Sequence, residues 1–343
     1  MTLSNTDNVP RIILGSMTFG LEGTDGTDSL VRIRGPENVE RFLKAFHAHG
    51  HIEIDTARIY NHGDSEAVMG QLPMAHFKIS TKVWPDFPGA HDADQLPKQF
   101  RHSLAALQAT KVDILYLHAP DFDTPFEVTA KAVDALYREG LFERFGLSNF
   151  AAWQVAHIYE ICKQNGYVLP TVYQGMYNPI ARAVVPELLP CLKYYNIGFY
   201  GYNPVGAGLL TGKYKFSEDT QEGTRYDPNT VFGQFFRRRY WKSLNFEGVQ
   251  ILEKAAKEND VTLLEATLRW MRHHSSLGSI DGIIIGASSI EQLEQNLTEL
   301  EKGPLPDAMV RAFDEAWEHV KPAAEHYYRG PEVPRASFGL KRE

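Results

Sequence analysis

Eight short apolar or β-branched runs alternate with helical patterns from end to end, which predicts an α/β protein built as a (β/α)8 TIM barrel on a parallel sheet. Two further observations favour a closed barrel over a doubly wound sheet. No linker-like stretch divides the runs, and three of them end in polar side chains, at the place where a barrel collects its chemistry. At 343 residues the chain also lies within the range of a single barrel.

The first run covers residues 11–14. An Asp/Gly/Thr-rich insertion follows over 21–35 and reads as a loop. An amphipathic helical segment over 37–49 leads to the second run, 52–55, and the third follows at 77–81. Helical patterns over 93–109, 125–139, 151–165 and 184–195 separate the next runs, at 112–118, 144–147, 171–174 and 197–201. After the seventh run lies a second long loop, 203–238, rich in Gly, aromatic and basic residues. Helical segments over 246–258 and 263–274 precede the last run, 282–285, and two more, 289–301 and 307–320, close the pattern. Both long loops follow strands, so both are expected at the mouth. The expectation is one barrel domain over 1–343, with 330–343 a flexible tail.

Composition narrows the class. Apolar residues at 43% and charged residues at 23% suit a globule with a sizeable core. A net charge of -8 argues against nucleic acid as a partner. Cys162 and Cys191 give no disulfide framework and fit a reducing compartment. MTLSNTDNVP lacks signal-peptide regions, and no apolar run approaches ~18 residues. A cytoplasmic protein with no membrane segment is expected.

The chemistry sits in HIEIDTARIY, FKISTK and DILYLHAPD, which place Asp55, Tyr60, Lys82 and His118 at three strand ends. A free phenol has a pKa near ~10 and donates a proton poorly at neutral pH. An ammonium beside it, here Lys82, stabilises the phenolate and is expected to lower that pKa. Asp55 would hold Lys82 and keep it charged, and His118 would donate to a substrate carbonyl oxygen. Singly these residues read as a surface Tyr, a solvated Lys, a capping Asp and a core His. Together at three strand ends they form a proton-delivery device.

These stretches resemble the aldo-keto reductase superfamily, over nearly the whole chain. The matching motifs are DTARIY (Asp55, Tyr60), STK (Lys82), LHAPD (His118), GLSNF, YQGMYNP, GYNPVGAGLLTGKY and GASSIEQLEQNL. LHAPD, GLLTGKY and the C-terminal EHYYR make the chain similar to the aflatoxin aldehyde reductase-like branch. The resemblance implies NADPH-dependent reduction of aldehydes or ketones, with Asp55, Tyr60, Lys82 and His118 as the catalytic tetrad and Tyr60 as general acid. It implies semialdehydes, aryl aldehydes or dicarbonyls as substrates and a homodimer as the assembly. It places Ser148, Asn149 and Gln174 on the nicotinamide carboxamide and Tyr202 against the ring. Asn203, Pro204, Gly206, Gly208, Leu210 and Lys213 would wrap the pyrophosphate with Arg225, and Ser288, Gln292 and Asn296 would hold the adenosine 2′-phosphate. A helix opening near Ser289 supports that last site, because its free amides and dipole favour a phosphate. Residues 288–296 contain no Lys or Arg, where many superfamily members have one, so NADH use stays open beside NADPH. Each of these residues also has an ordinary reading: capping for Ser288 and Ser289, turn and cap for Ser148 and Asn149, core packing for Tyr202.

Arg237, Tyr328 and Arg329 match substrate contacts of that branch, the last two in a C-terminal loop that the resemblance places over the active site, and with His118 they make up the expected substrate set. Arg237 and Arg329 are expected to bind an acidic group, since guanidinium matches carboxylate geometry. Taken alone, Arg237, Arg238 and Arg239 would read as a solvated charge run. GAGLLTGK is not a Walker loop, because Ala207 and Tyr214 break the pattern, and Thr211 breaks the dinucleotide fingerprint. His47, His49, His51, His273 and His274 fall at the N-terminal face of a barrel, away from its mouth, so no metal is expected. A different class keeps the same fold: a cofactor-sensing regulatory or channel-associated subunit, separable by turnover with simple aldehydes.

Overall fold

The computed structural model describes residues 8–23, 30–216 and 222–331. In chain order the elements are β1 Arg11–Gly15, β2 Phe19–Gly20, β3 Ile33–Arg34, α1 Gly35–Ala48, β4 Glu53–Asp55, α2 Asp64–Met69 and β5 Lys78–Val83. Then follow α3 Gln95–Ala106, β6 Val112–Leu117, α4 Phe126–Arg138, β7 Phe142–Ser148, α5 Ala152–Asn165, β8 Pro170–Met176, α6 Leu188–Tyr194 and β9 Gly198–Tyr202. The chain continues with α7 Val231–Tyr240, α8 Ser243–Glu258, α9 Leu263–His273, β10 Gly282–Ile285, α10 Ile290–Glu301 and α11 Asp307–Val320. All eight expected runs are barrel strands. They pair in the order β1-β10-β9-β8-β7-β6-β5-β4, and β1 closes onto β4. The α/β barrel of the sequence reading is therefore the observed architecture.

Side-chain parity decides what enters the barrel. On β4, Ile54 packs outward into the main core while Glu53 and Asp55 face in; on β5, Ile79 and Val83 go out while Ser80 and Lys82 go in. Ile13, Ile114, Tyr116, Val172, Tyr200 and Ile284 fill the interior as one cluster. Tyr116 occupies space that a side chain at Gly146 would need, since a Cβ there would overlap its ring. Beneath this layer Arg144 bridges Asp113 and Glu53, and Tyr200 donates to Glu53 at 3.0 Å. The barrel is thus closed below by ion pairs and filled through its middle, which leaves only the top open.

Three expectations change. The 21–35 insertion is not all loop: β3 pairs in parallel with β2, through Phe19↔Ile33 and Gly20↔Arg34. The 203–238 stretch contains most of α7, whose Phe232, Phe235 and Phe236 follow a helical spacing that the basic residues obscured. The helix expected over 184–195 begins only at Leu188, because the residue before Pro186 is biased away from helix and Pro190 fits only a first turn. Residues 24–29, 217–221 and the tail from 332, where a flexible end was expected, lie outside the described residues.

Candidate active site

Register brings the polar strand ends together. Asp55 pairs with Ser80, so Lys82 stands two residues further up on the same inward parity. Lys82 is fully buried and spends its three protons on three acceptors. Nζ donates to Asp55 Oδ2 at 2.6 Å, to the Thr56 carbonyl at 2.7 Å and to the Tyr60 oxygen at 3.3 Å. Asp55 Oδ1 in turn accepts from Gln174 Nε2 at 2.8 Å and from Ser80 Oγ at 3.3 Å. A buried ion pair survives desolvation only when its remaining valences are filled in this way.

Tyr60 is positioned by a tight turn over Tyr60–Gly63, in which Asn61 and His62 take left-handed backbone (φ 50° and 59°) and Gly63 sits at φ 99°. Asn61 anchors the turn by donating to the Met17 and Phe19 carbonyls. Its phenol is the site's surprise. Lys82 was expected to lower its pKa; burial and the Asp55 carboxylate instead push it well above 10. The correction is physical: Asp55 neutralises Lys82 at 2.6 Å, so the phenol meets little net positive charge while it is desolvated. The proton therefore stays on Tyr60, and Lys82 can hold the phenolate only as it forms.

His118 follows β6 and packs edge-on against Trp84 and Tyr60, at centroid distances of 5.0 and 6.0 Å. Burial, then the Lys82 ammonium, holds its pKa well below 6.5, so the ring is neutral at physiological pH. Its buried Nδ1 has no partner among the described residues. A neutral imidazole donates from one nitrogen only, so this ring can orient an oxygen but is a poor acid.

Above these residues lies a cavity of about 990 Å³, at the large end of the range for ligand pockets. Asn149, Gln174, Tyr202, Asn203, Pro204, Gly208, Lys213, Arg225, Ser288, Gln292 and Asn296 all reach its wall, as do Tyr328 and Arg329. Ser148, Gly206 and Leu210 are buried and do not. Ser148 Oγ accepts from Asn149 Nδ2, which also donates to the His118 carbonyl, while Tyr202 donates to Asn149 Oδ1 at 2.9 Å. Asn149 therefore ties His118 to the Tyr202 ring at left-handed φ 62°. At the far end, Ser289 caps α10 by accepting from the Gln292 amide. Gln292 Oε1 accepts from both the amide and the hydroxyl of Ser288.

A dinucleotide fits these residues. Arg225 lines the cavity, stacks on Phe236 at 5.3 Å and has its pKa lowered by burial, so an anion is its natural complement. Arg32, which sequence reasoning passed over, lines the same wall and adds to the positive field at Arg225. Among the described residues no group of three or more His, Cys, Asp or Glu could hold a metal ion.

Arg237 does not reach the cavity. Its guanidinium stacks on Trp241 at 4.7 Å and donates to the Tyr226 carbonyl, whereas Arg238 and Arg239 line the wall. Two positions along a helix differ by about 200°, so Arg237 and Arg239 face nearly opposite ways. Arg329 stacks on Trp84 at 4.6 Å, and burial together with the Arg239 and Arg238 charges pushes its pKa down to about 10. The C-terminal segment is pinned here: the Arg329 amide donates to the Asn149 carbonyl at 2.8 Å, and Tyr327 donates to Glu187 at 2.6 Å. Trp84, Arg239 and Arg32 were missed as cavity residues; only their nearness to strand ends and to the two long loops could have drawn attention to them.

A closed barrel whose mouth gathers Asp55, Lys82, Tyr60 and a neutral His118 under an arginine-rimmed cavity is the kind of site that a barrel oxidoreductase uses. Its sequence agrees: the profile of the aldo/keto reductase family matches residues 11–318. Human aldo-keto reductase family 7 member A3 is 43% identical over 334 residues, covering 93% of this chain and 97% of that protein. Mouse aflatoxin B1 aldehyde reductase member 2 is 42% identical, with 93% and 88% covered. Human aflatoxin B1 aldehyde reductase member 4 is 41% identical, with 93% and 97% covered. The chain belongs to the aldo-keto reductase family and is similar within it to the aflatoxin aldehyde reductases.

Proposed function

We propose that the protein reduces aldehydes and ketones to alcohols with NADPH, as one barrel domain whose Tyr60 is the proton donor. The observation that carries this reading is Lys82 Nζ between Asp55 and the Tyr60 oxygen, at 2.6 and 3.3 Å. When bound, the nicotinamide supplies the hydride that arrives at the carbonyl carbon. His118 orients the carbonyl oxygen, Tyr60 gives it a proton, and Lys82 stabilises the phenolate left behind. Asp55 holds the ammonium, and Gln174 and Ser80 hold Asp55.

Tyr202 would flank the nicotinamide while Asn149 fixes its hydroxyl. Arg225 and Lys213 would meet the pyrophosphate, and Ser288, Gln292 and Asn296 the adenosine end. Arg239 and Arg329 make a carboxylate-bearing aldehyde, such as a semialdehyde, the favoured substrate class. Arg239 here takes the place beside Arg329 that was expected of Arg237. Tyr60→Phe should lower kcat by at least about a thousandfold while leaving the NADPH Kd within about twofold. Retained turnover in that variant would remove the proposal.

A further inference from the structure

A second buried acid stands beside the tetrad and takes no part in the proton delivery described above. Glu66, on α2, has no exposed surface. Its Oε1 accepts from Thr81 Oγ1 at 2.6 Å, and its Oε2 accepts from Arg58 Nη1 at 3.3 Å. Thr81 is the residue before Lys82 on β5. Arg58 is two residues before Tyr60, and its guanidinium lies where a side chain at Gly63 would be, so it packs over the Tyr60 turn. Along the backbone the Arg58 amide donates to the Lys82 carbonyl at 3.3 Å. One carboxylate thus ties the turn that carries the phenol to the strand that carries the ammonium.

From this geometry, and resting on the reading of Tyr60 as proton donor, we infer that Glu66 is a positioning residue that sets the Tyr60–Lys82 distance. A carboxylate is costly to bury: desolvation raises the Glu66 pKa in spite of Thr81 and Arg58, and the Arg58 guanidinium lies at 3.3 Å, so packing stability alone is a poor reason for it to be there. Misplacement of a reacting group by about 1 Å can cost about a hundredfold in rate. The Tyr60–Lys82 contact, at 3.3 Å, already lies near the outer limit of a hydrogen bond. Through space Asp55 first, and Glu66 after it, favours the ammonium on Lys82 against the desolvation that lowers that group's pKa.

The test uses the full chain with NADPH and a neutral aldehyde. Glu66→Gln keeps the shape but cannot accept from both donors at both positions, and Thr81→Val removes only the strand side of the bridge. Each should lower kcat about ten- to a hundredfold with the NADPH Kd changed less than about twofold. The solvent deuterium isotope effect on kcat should rise in both, because proton transfer from Tyr60 becomes more nearly rate-limiting. The double variant should be little worse than either single one. A loss of kcat that follows the folded fraction, with an unchanged isotope effect, would make Glu66 a purely structural residue and overturn the inference. So would normal kcat in Thr81→Val, a variant that stays informative if Glu66→Gln does not fold. Tyr60→Phe separates the layers: turnover there sinks the donor reading itself, whereas its loss beside full activity in Glu66→Gln sinks only the positioning role.

Discussion

Tyr60 and His118 have their protonation states set by opposite consequences of the same burial. Desolvation disfavours charge, so it pushes the phenol well above 10 and the imidazole well below 6.5. Tyr60 loses its proton only as pH rises through that raised value, and His118 gains one only as pH falls through its lowered value. Reduction of a neutral aldehyde should therefore show kcat/KM flat from about pH 6.5 to about 9. A titration near about 6.5 in that profile would contradict a neutral His118. Arg239 makes its own prediction. Arg239→Ala should raise KM for a carboxylate-bearing aldehyde about tenfold and leave a neutral aldehyde within about twofold, while Arg237→Ala affects the two alike. Steady-state kinetics on a matched pair of substrates decides it. The tetrad was legible in sequence because a buried strand has no reason to end in Asp, Lys or His. Arg239 was not, since in a run of three arginines only the orientation of the helix tells which one faces the cavity.

Among the elements, α1 and α10 are clasped by His49, which lies between Glu301 at 2.6 Å and Glu294 at 2.9 Å. Hydrogen bonds that its ring donates to these two carboxylates raise its pKa above 6.5. A histidine raised in the folded state gives stability that is fully present below about 6.5 and is lost as pH rises through the higher folded value. Both carboxylates are about half exposed, at 49% and 53%, so solvent screening limits the contribution to at most about 1 kcal/mol. His49→Ala should accordingly lower Tm by about 2–4 °C near pH 6 and by less near pH 9, as read by thermal melts. An equal loss at both pH values would mean that the effect is packing alone. Other histidines that suggest a metal have partners of their own: His273 Nε2 lies 2.7 Å from the Lys302 carbonyl, and His274 Nε2 accepts from the Leu305 amide. At this scale the sequence disclosed the strands and most helices through their apolar periods. It concealed α7, where aromatic residues at helical spacing are interleaved with arginines and preceded by Gly- and Pro-rich chain.

For the whole molecule the charge is -8, yet Arg238, Arg239 and Arg329 stand together at the mouth. Such a local field draws an anionic substrate and is screened over about 8 Å at physiological ionic strength. KM for a carboxylate-bearing aldehyde should rise several-fold between about 0.02 and 0.3 M salt, while that for a neutral aldehyde holds. A salt response shared by both substrates would point to the cofactor site. Among the described residues no helix is long and apolar enough to cross a membrane.

What the sequence determined by itself was the alternation of strand and helix, hence the barrel, and the residue types at its strand ends. Both are local properties, written in the spacing of apolar side chains. What the tertiary structure alone decided was distance and direction. Barrel closure and register set Lys82 between Asp55 and Tyr60, brought Gln174 to Asp55 across 119 positions of sequence, and turned Arg239 inward and Arg237 out. Desolvation is equally a product of packing, so the phenol's raised pKa appears only once the surrounding chain has excluded water.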